Sequence, residues 1–146
     1  MKKIAIATLL ALSVGSAHAL ELGVTTSHAP KMDKNGMGLS LGLVKVGPLH
    51  TTAAWEKFEG QQDRYSVVAA LPLTKVEKLH LSLKAGGVWL HNQHQVNGYA
   101  AVAGVGLDLP LSKKMTVGVD ATRQWGETKV SNFDGNKVTA SLKFKF

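Results

Sequence analysis

The chain has 146 residues, enough for one domain, and no cysteine, which excludes disulfides and thiolate metal sites. Its formal net charge of +7 comes almost wholly from lysine, with Arg64 and Arg123 the sole arginines. Lysines spread along the whole chain exclude a nucleic-acid surface and suit contact with anionic lipid headgroups.

Residues 1–19 read as a secretory signal peptide. Lys2 and Lys3 supply a positive start, residues 4–14 form an apolar run, and Ala17, His18 and Ala19 offer a small-residue cleavage site. An uncleaved anchor is the alternative, but the apolar run is short for a membrane span. Export through the inner membrane is therefore expected, with residues 20–146 as the folded domain. In that domain no apolar stretch approaches about 18 residues, so no membrane helix is expected. A β-barrel would not show one, because its apolar residues alternate.

The domain reads as eight strands with a period of two. They cover residues 20–27, 37–46, 49–58, 64–73, 78–90, 99–109, 115–125 and 137–146. In the second, Met37, Leu39, Leu41 and Leu43 alternate with Gly38, Ser40 and Gly42. In the fifth, Leu79, Leu81 and Leu83 alternate with His80, Ser82 and Lys84. Turn residues are expected between strands at Asn35–Gly36, Gly47–Pro48, Glu59–Gly60, Asn97–Gly98 and Asp134–Gly135. Pro-Leu recurs at Pro48–Leu49, Pro72–Leu73 and Pro110–Leu111, each time read as the start of an odd-numbered strand.

The eighth strand carries Val138, Ala140, Leu142, Phe144 and Phe146 on one face, and Lys137, Thr139, Ser141, Lys143 and Lys145 on the other. With Phe144 and Phe146 as its closing aromatics, it resembles the terminal strand of bacterial outer-membrane β-barrels. That resemblance implies that Phe144 and Phe146 form a signal read by the barrel-assembly machinery. The alternation of the whole domain is similar in architecture to the small eight-stranded class of outer-membrane proteins A and X. The fold class expected is therefore all-β: an eight-stranded antiparallel up-and-down transmembrane barrel in the outer membrane, monomeric and without cofactor.

Trp55, Tyr65, Trp89, Tyr99 and Trp125 all fall on the apolar parity and at one end of the sheet. Amphipathic rings favour the membrane–water boundary, so they are expected to form an aromatic girdle. The polar parity is rich in small residues such as Gly23, Gly38, Gly86, Gly104, Gly106 and Gly118. A narrow lumen requires small side chains, whereas a solvent-facing sheet has no reason to be weakened by glycine. A lipocalin-like or avidin-like soluble barrel is the alternative. An even-stranded barrel keeps both ends of its sheet on the periplasmic side, so the Pro-Leu turns face the periplasm and the girdle lies at the outer leaflet.

Chemistry is sparse. His80 and Ser82 form a His-x-Ser pair that resembles the one in lipid A deacylase barrels, but here the parity points both into the lumen. His28, His91 and His94 lie on expected external loops, and solvated loop residues are the simpler account than a metal site. No catalytic or metal-ligating set is assigned. Lys57 and Arg123 point outward beside tryptophans, where they are placed to meet lipopolysaccharide phosphates or simply to snorkel. Counting five residues from Trp89 and from Trp125 reaches Lys84 and Asp120, both on the lumen face, so an ion pair is expected there. The same count gives Gly104 on the strand between them and His50 on the third strand. Two functions fit this pattern: a structural or surface-interaction barrel that is not an open porin, and a lipid A-modifying enzyme.

Overall fold

The computed structural model describes residues 20–60, 62–92, 97–127 and 134–146. The expected signal peptide and His94 lie outside them. Eight strands follow in order: β1 Glu21–Ala29, β2 Lys34–Val46, β3 Leu49–Phe58, β4 Gln62–Val76, β5 Leu79–Asn92, β6 Asn97–Pro110, β7 Met115–Gly126 and β8 Gly135–Lys145. Each pairs antiparallel with its sequence neighbour, and β1 pairs with β8, so the sheet closes into a barrel. Closure leaves no free strand edge, which is how a sheet of this size satisfies its backbone hydrogen bonds without water.

Several boundaries differ from the sequence expectation. Asn35 and Gly36 are not a turn but part of β2, opposite His28 and Ser27. The chain reverses earlier, through Pro30–Lys31–Met32–Asp33, with the positive φ of 49° carried by Asp33. Asn97 and Gly98 likewise belong to β6, opposite His91 and Leu90. An antiparallel ladder continues while its partner strand offers hydrogen bonds, and local turn propensity yields to it. Pro72–Leu73 does not start a strand. It lies within β4, where the pairing with β5 slips between Pro72 and Thr74. Proline lacks the N–H that a regular ladder requires, and a bulge accommodates that loss.

The turns at the opposite end are tight. Val46 faces Leu49 and Val76 faces Leu79, leaving two-residue connections. The first central residue has positive φ in both, +59° at Gly47 and +54° at Glu77, the geometry that matches hairpin twist. Leu111–Lys114 makes the third turn, closed by the Leu111 and Ser112 amides donating to the Met115 carbonyl.

Polarity is inverted relative to a soluble barrel. Leu22, Val24, Leu39, Val67, Leu83, Val105, Leu107, Val119 and Val138 are all exposed on the outer face. Among the described residues, ten polar or charged side chains are buried against six apolar ones. The lumen is therefore mainly a polar interior, with one small apolar cluster of Val88, Leu90, Ala100 and Val102.

Candidate functional site

Among the described residues charged side chains converge in the lumen, and its two halves differ. The half nearer the longer connections is tightly filled among the described residues, with a cavity of about 20 Å³ between Phe58, Gln62, Arg64 and Leu90. The Val88–Leu90–Ala100–Val102 cluster, Phe58 and Gln62 fill this half beside a cluster centred on Glu56. Glu56 on β3 is 1% exposed and directly faces Arg64 on β4. Arg64 Nη1 donates to Glu56 Oε2. Lys137 Nζ on β8 donates to both Glu56 oxygens, at 3.0 and 2.7 Å. Ser27 Oγ on β1 donates to Glu56 Oε1 and shares a 3.0 Å bond with Thr139 Oγ1. Arg64 Nε donates to Gln124 Oε1 on β7 at 3.2 Å. One carboxylate thus ties four strands together, and Arg64 extends the network to a fifth, β7.

Below this plug the lumen widens into a basin of about 430 Å³ that opens at the turn end. Its charges lie in levels. Lys84 Nζ is 2.5 Å from Asp120 Oδ1, Lys143 Nζ is 2.8 Å from Asp108 Oδ1, and Lys145 Nζ is 3.8 Å from Glu21 Oε2. The first two pairs each skip a strand, β5 to β7 and β6 to β8. In both cases the strand between carries a glycine under the bridge. A Cβ at Gly106 would sit 2.5 Å from Asp120 Oδ1 and 2.6 Å from Lys84 Cε, and one at Gly118 would lie 2.4 Å from Asp108 Oδ1.

The structure brings Lys84 and Asp120 together, over Gly106 and not over Gly104. Strands of a closed barrel tilt, so equal height is not equal register. Lys84 is opposite Gly104, but Asp120 is opposite Gly106, two residues along. His50 does not share that level. The charges around it are those of Lys45, Glu21, Lys145 and Lys143, near the turn-end mouth.

Outside the barrel, Trp55, Tyr65, Trp89 and Tyr99 are consecutive register partners across β3 to β6. Tyr65 and Trp89 stack at 5.2 Å, and Trp55 Nε1 donates to Asp63 Oδ1 at 3.2 Å. Trp125 is opposite Ala101, one pleat from that row, with the Arg123 guanidinium 5.8 Å from its ring. Lys57 is exposed and opposite Asp63. Phe144 pairs between Leu22 of β1 and Met115 of β7, and the Phe146 amide donates to the Leu20 carbonyl at 3.0 Å.

Ser82 is buried, with its hydroxyl 3.5 Å from the Gly106 carbonyl, while His80 is exposed at the basin mouth. Both line the lumen, away from lipid. His28 Nδ1 is bonded to Asn35 Oδ1 at 2.9 Å and His91 Nδ1 to Asn97 Oδ1 at 2.5 Å. Among the described residues no three His, Asp or Glu side chains gather as a metal-ligand set. The Glu56 cluster was absent from the sequence expectation although a signal exists. Trp55 and Tyr65 flank a short loop, and pairing them sets Glu56 opposite Arg64.

No family model and no curated protein matches the chain. Solved structures do. A de novo designed transmembrane β-barrel superposes with a TM-score of 0.64 at 15% identity, covering 88% of this chain and 95% of that one. The Yersinia pestis outer-membrane protein Ail, determined in a phospholipid bilayer nanodisc, gives 0.53 at 10% identity over 88% of this chain and 99% of Ail. The outer-membrane enzyme PagL gives 0.51 at 14% identity over 86% and 98%. At these identities the likeness is one of fold: this chain has the architecture of small eight-stranded outer-membrane barrels.

Proposed function

We propose that this protein is a monomeric outer-membrane barrel with a structural or surface-interaction role, exported by residues 1–19, whose plugged lumen passes no solute. The observation that carries this reading is the inverted polarity. An outer face of Leu, Val and Ala would be a liability in water, and only lipid matches it over the whole circumference. The plug of Glu56, Arg64 and the apolar cluster argues against free passage. The contiguous row of Trp55, Tyr65, Trp89 and Tyr99, with Trp125 one pleat away, acts as the girdle at the outer boundary. Lys57 and Arg123 beside it pair with lipopolysaccharide phosphates, since outward cations cost little near the interface.

Two outcomes test the reading. Unboiled protein from an outer-membrane fraction is expected to migrate faster on SDS gels than boiled protein; an unchanged mobility would sink the barrel in the membrane. Brominated lipids are expected to quench Trp55, Trp89 and Trp125 at similar depth near one boundary, and widely separated depths would remove the girdle.

Phe144 and Phe146 serve assembly. Phe144 lies on β8, the strand that closes the barrel against β1, and Phe146 directly follows that strand. Phe146→Ala is expected to lower the yield of folded protein in cells severalfold while leaving refolding of purified protein into detergent unchanged. An equal loss in both settings would assign Phe146 to stability alone.

A further inference from the structure

Two of the three turn-end hairpins repeat one phrase. Lys45-Val46-Gly47-Pro48-Leu49-His50 joins β2 to β3, and Lys75-Val76-Glu77-Lys78-Leu79-His80 joins β4 to β5. The repetition extends to irregularity. A register shift precedes each lysine, between Gly42 and Lys45 and between Pro72 and Thr74. An extra residue in one strand moves all that follows to the other face. Each shift thereby sets its lysine directly opposite a histidine, Lys45 to His50 and Lys75 to His80. Both histidines line the basin, and directly opposed residues share a face. Without the shifts these lysines would sit on the outer parity; with them they stand exposed beside the basin mouth, above the wall that the histidines line. The third turn places Ser112 and Lys113 on the same basin wall.

We propose that this lysine–histidine rim is a binding site for phosphate-bearing anions at the mouth of the lumen. Charge distribution supports it. Deeper in the basin the lysines are neutralised in pairs, Lys84 with Asp120 and Lys143 with Asp108. At the rim they are in excess: residues 45–50, 75–80 and 111–114 hold five lysines against one carboxylate, Glu77. Lys145 is held loosely, 3.8 Å from Glu21 with its side chain 49% exposed, and is free to turn to a ligand. Among the described residues the other end of the barrel carries no such excess. There residues 28–35, 57–60, 62–63, 125–127 and 134–136 hold Lys31, Lys34 and Lys57 against Asp33, Glu59, Asp63, Glu127 and Asp134. A concave mouth of one sign, walled by a low-dielectric barrel, concentrates anions. Ammonium and imidazole groups donate to phosphate oxygens, and the basin below leaves room for the remainder of a small ester. Solution phosphate esters and phospholipid headgroups of the near leaflet present the same chemistry.

The experiment uses the refolded full-length domain in zwitterionic micelles, with tripolyphosphate as the soluble probe. Saturable binding by calorimetry is expected, with shifts in the imidazole resonances of His50 and His80 and none at His28 or His91. The triple variant Lys45→Gln/Lys75→Gln/Lys113→Gln is expected to bind about tenfold more weakly. Lys31→Gln/Lys34→Gln, which removes charge from the far end, should leave affinity within about twofold. In nanodiscs, His50 and His80 shifts that appear on adding phosphatidylglycerol, and are displaced by tripolyphosphate, assign the headgroup as the source. Shifts with tripolyphosphate alone assign the soluble one. Silence of both imidazoles to both probes, or equal weakening by the rim and far-end variants, overturns the site. Retained heat-modifiable mobility separates that failure from failure of the barrel itself, and the wild-type imidazole shifts decide the matter if a variant does not fold.

Discussion

Glu56→Gln is expected to lower the unfolding free energy in detergent or lipid by about 3–5 kcal/mol, the cost of leaving buried charge without its counter-ion. Glutamine keeps the shape, so packing is conserved and only the charge is lost. That charge faces two cations: the side chains of Arg64 and Lys137 are 5% and 12% exposed, and Glu56 is the carboxylate bonded to both. The plug beside it offers no compensation, since Val88, Leu90 and Val102 are apolar and closely packed. Arg64→Met should cost less, because Glu56 then keeps Lys137 and Ser27. Lys137→Met should cost less again, because Arg64 stays in place with its second partner, Gln124. Adding Lys137→Met to Glu56→Gln should recover part of the loss, since one stranded cation goes with it. Urea titration of the four proteins measures the order. A loss under about 1 kcal/mol for Glu56→Gln would mean that water reaches the cluster and the plug is not dry.

The parts of this molecule that were legible in its sequence are those governed by a period of two. Side-chain alternation fixes which residues face lipid and which face the lumen, and it holds from Leu22 on β1 to Phe144 on β8 except past the slips in β2 and β4. Closure into eight antiparallel strands follows from that pattern and from the short connections. What alternation does not contain is register. Pro72 reads as a turn residue, yet it lies in β4, because a bulge depends on the hydrogen-bond ladder of the partner strand and not on local propensity. The same blindness hid the rim. The phrase Lys-Val-x-x-Leu-His is visible as text, but simple alternation places Lys45 on the outer face with Leu41 and Leu43. Only the slip between Gly42 and Lys45 sets it opposite His50 at the mouth. Strand tilt accounts for the remaining error. Trp89 is opposite Tyr99, but Trp125 is opposite Ala101, so a count made from equal heights misidentifies the residue beneath a bridge by one pleat.

The Lys84–Asp120 bridge gives a second, smaller expected effect, and its size relative to Glu56 tests where water stops. The two side chains are 11% and 18% exposed and line the open basin, so hydration supports each charge when the other is removed. Lys84→Met or Asp120→Leu alone should therefore cost roughly 1–3 kcal/mol, below the dry-site range of about 3–5 kcal/mol. A double-mutant cycle should return a coupling of about 1 kcal/mol or more, since the pair is in contact. Gly106 supplies an independent handle on the same geometry. A methyl there would meet Asp120 Oδ1 and Lys84 Cε at 2.5 and 2.6 Å, both at the free ends of side chains and not backbone. Those ends can swing away, but only by giving up the bridge, so Gly106→Ala should cost about 1–2 kcal/mol. In the Lys84→Met/Asp120→Leu background the bridge is already gone, and the same substitution should cost measurably less. Gly104→Ala is the contrasting case. Its Cβ would lie 2.2 Å from the Ala121 carbonyl and 2.6 Å from Thr122 Cα, so its cost should be the same in both backgrounds. If Gly106→Ala instead behaves as Gly104→Ala does, with no dependence on the charges, the bridge does not pass over that residue. A coupling near zero in the cycle would go further and show the two charges to be hydrated separately.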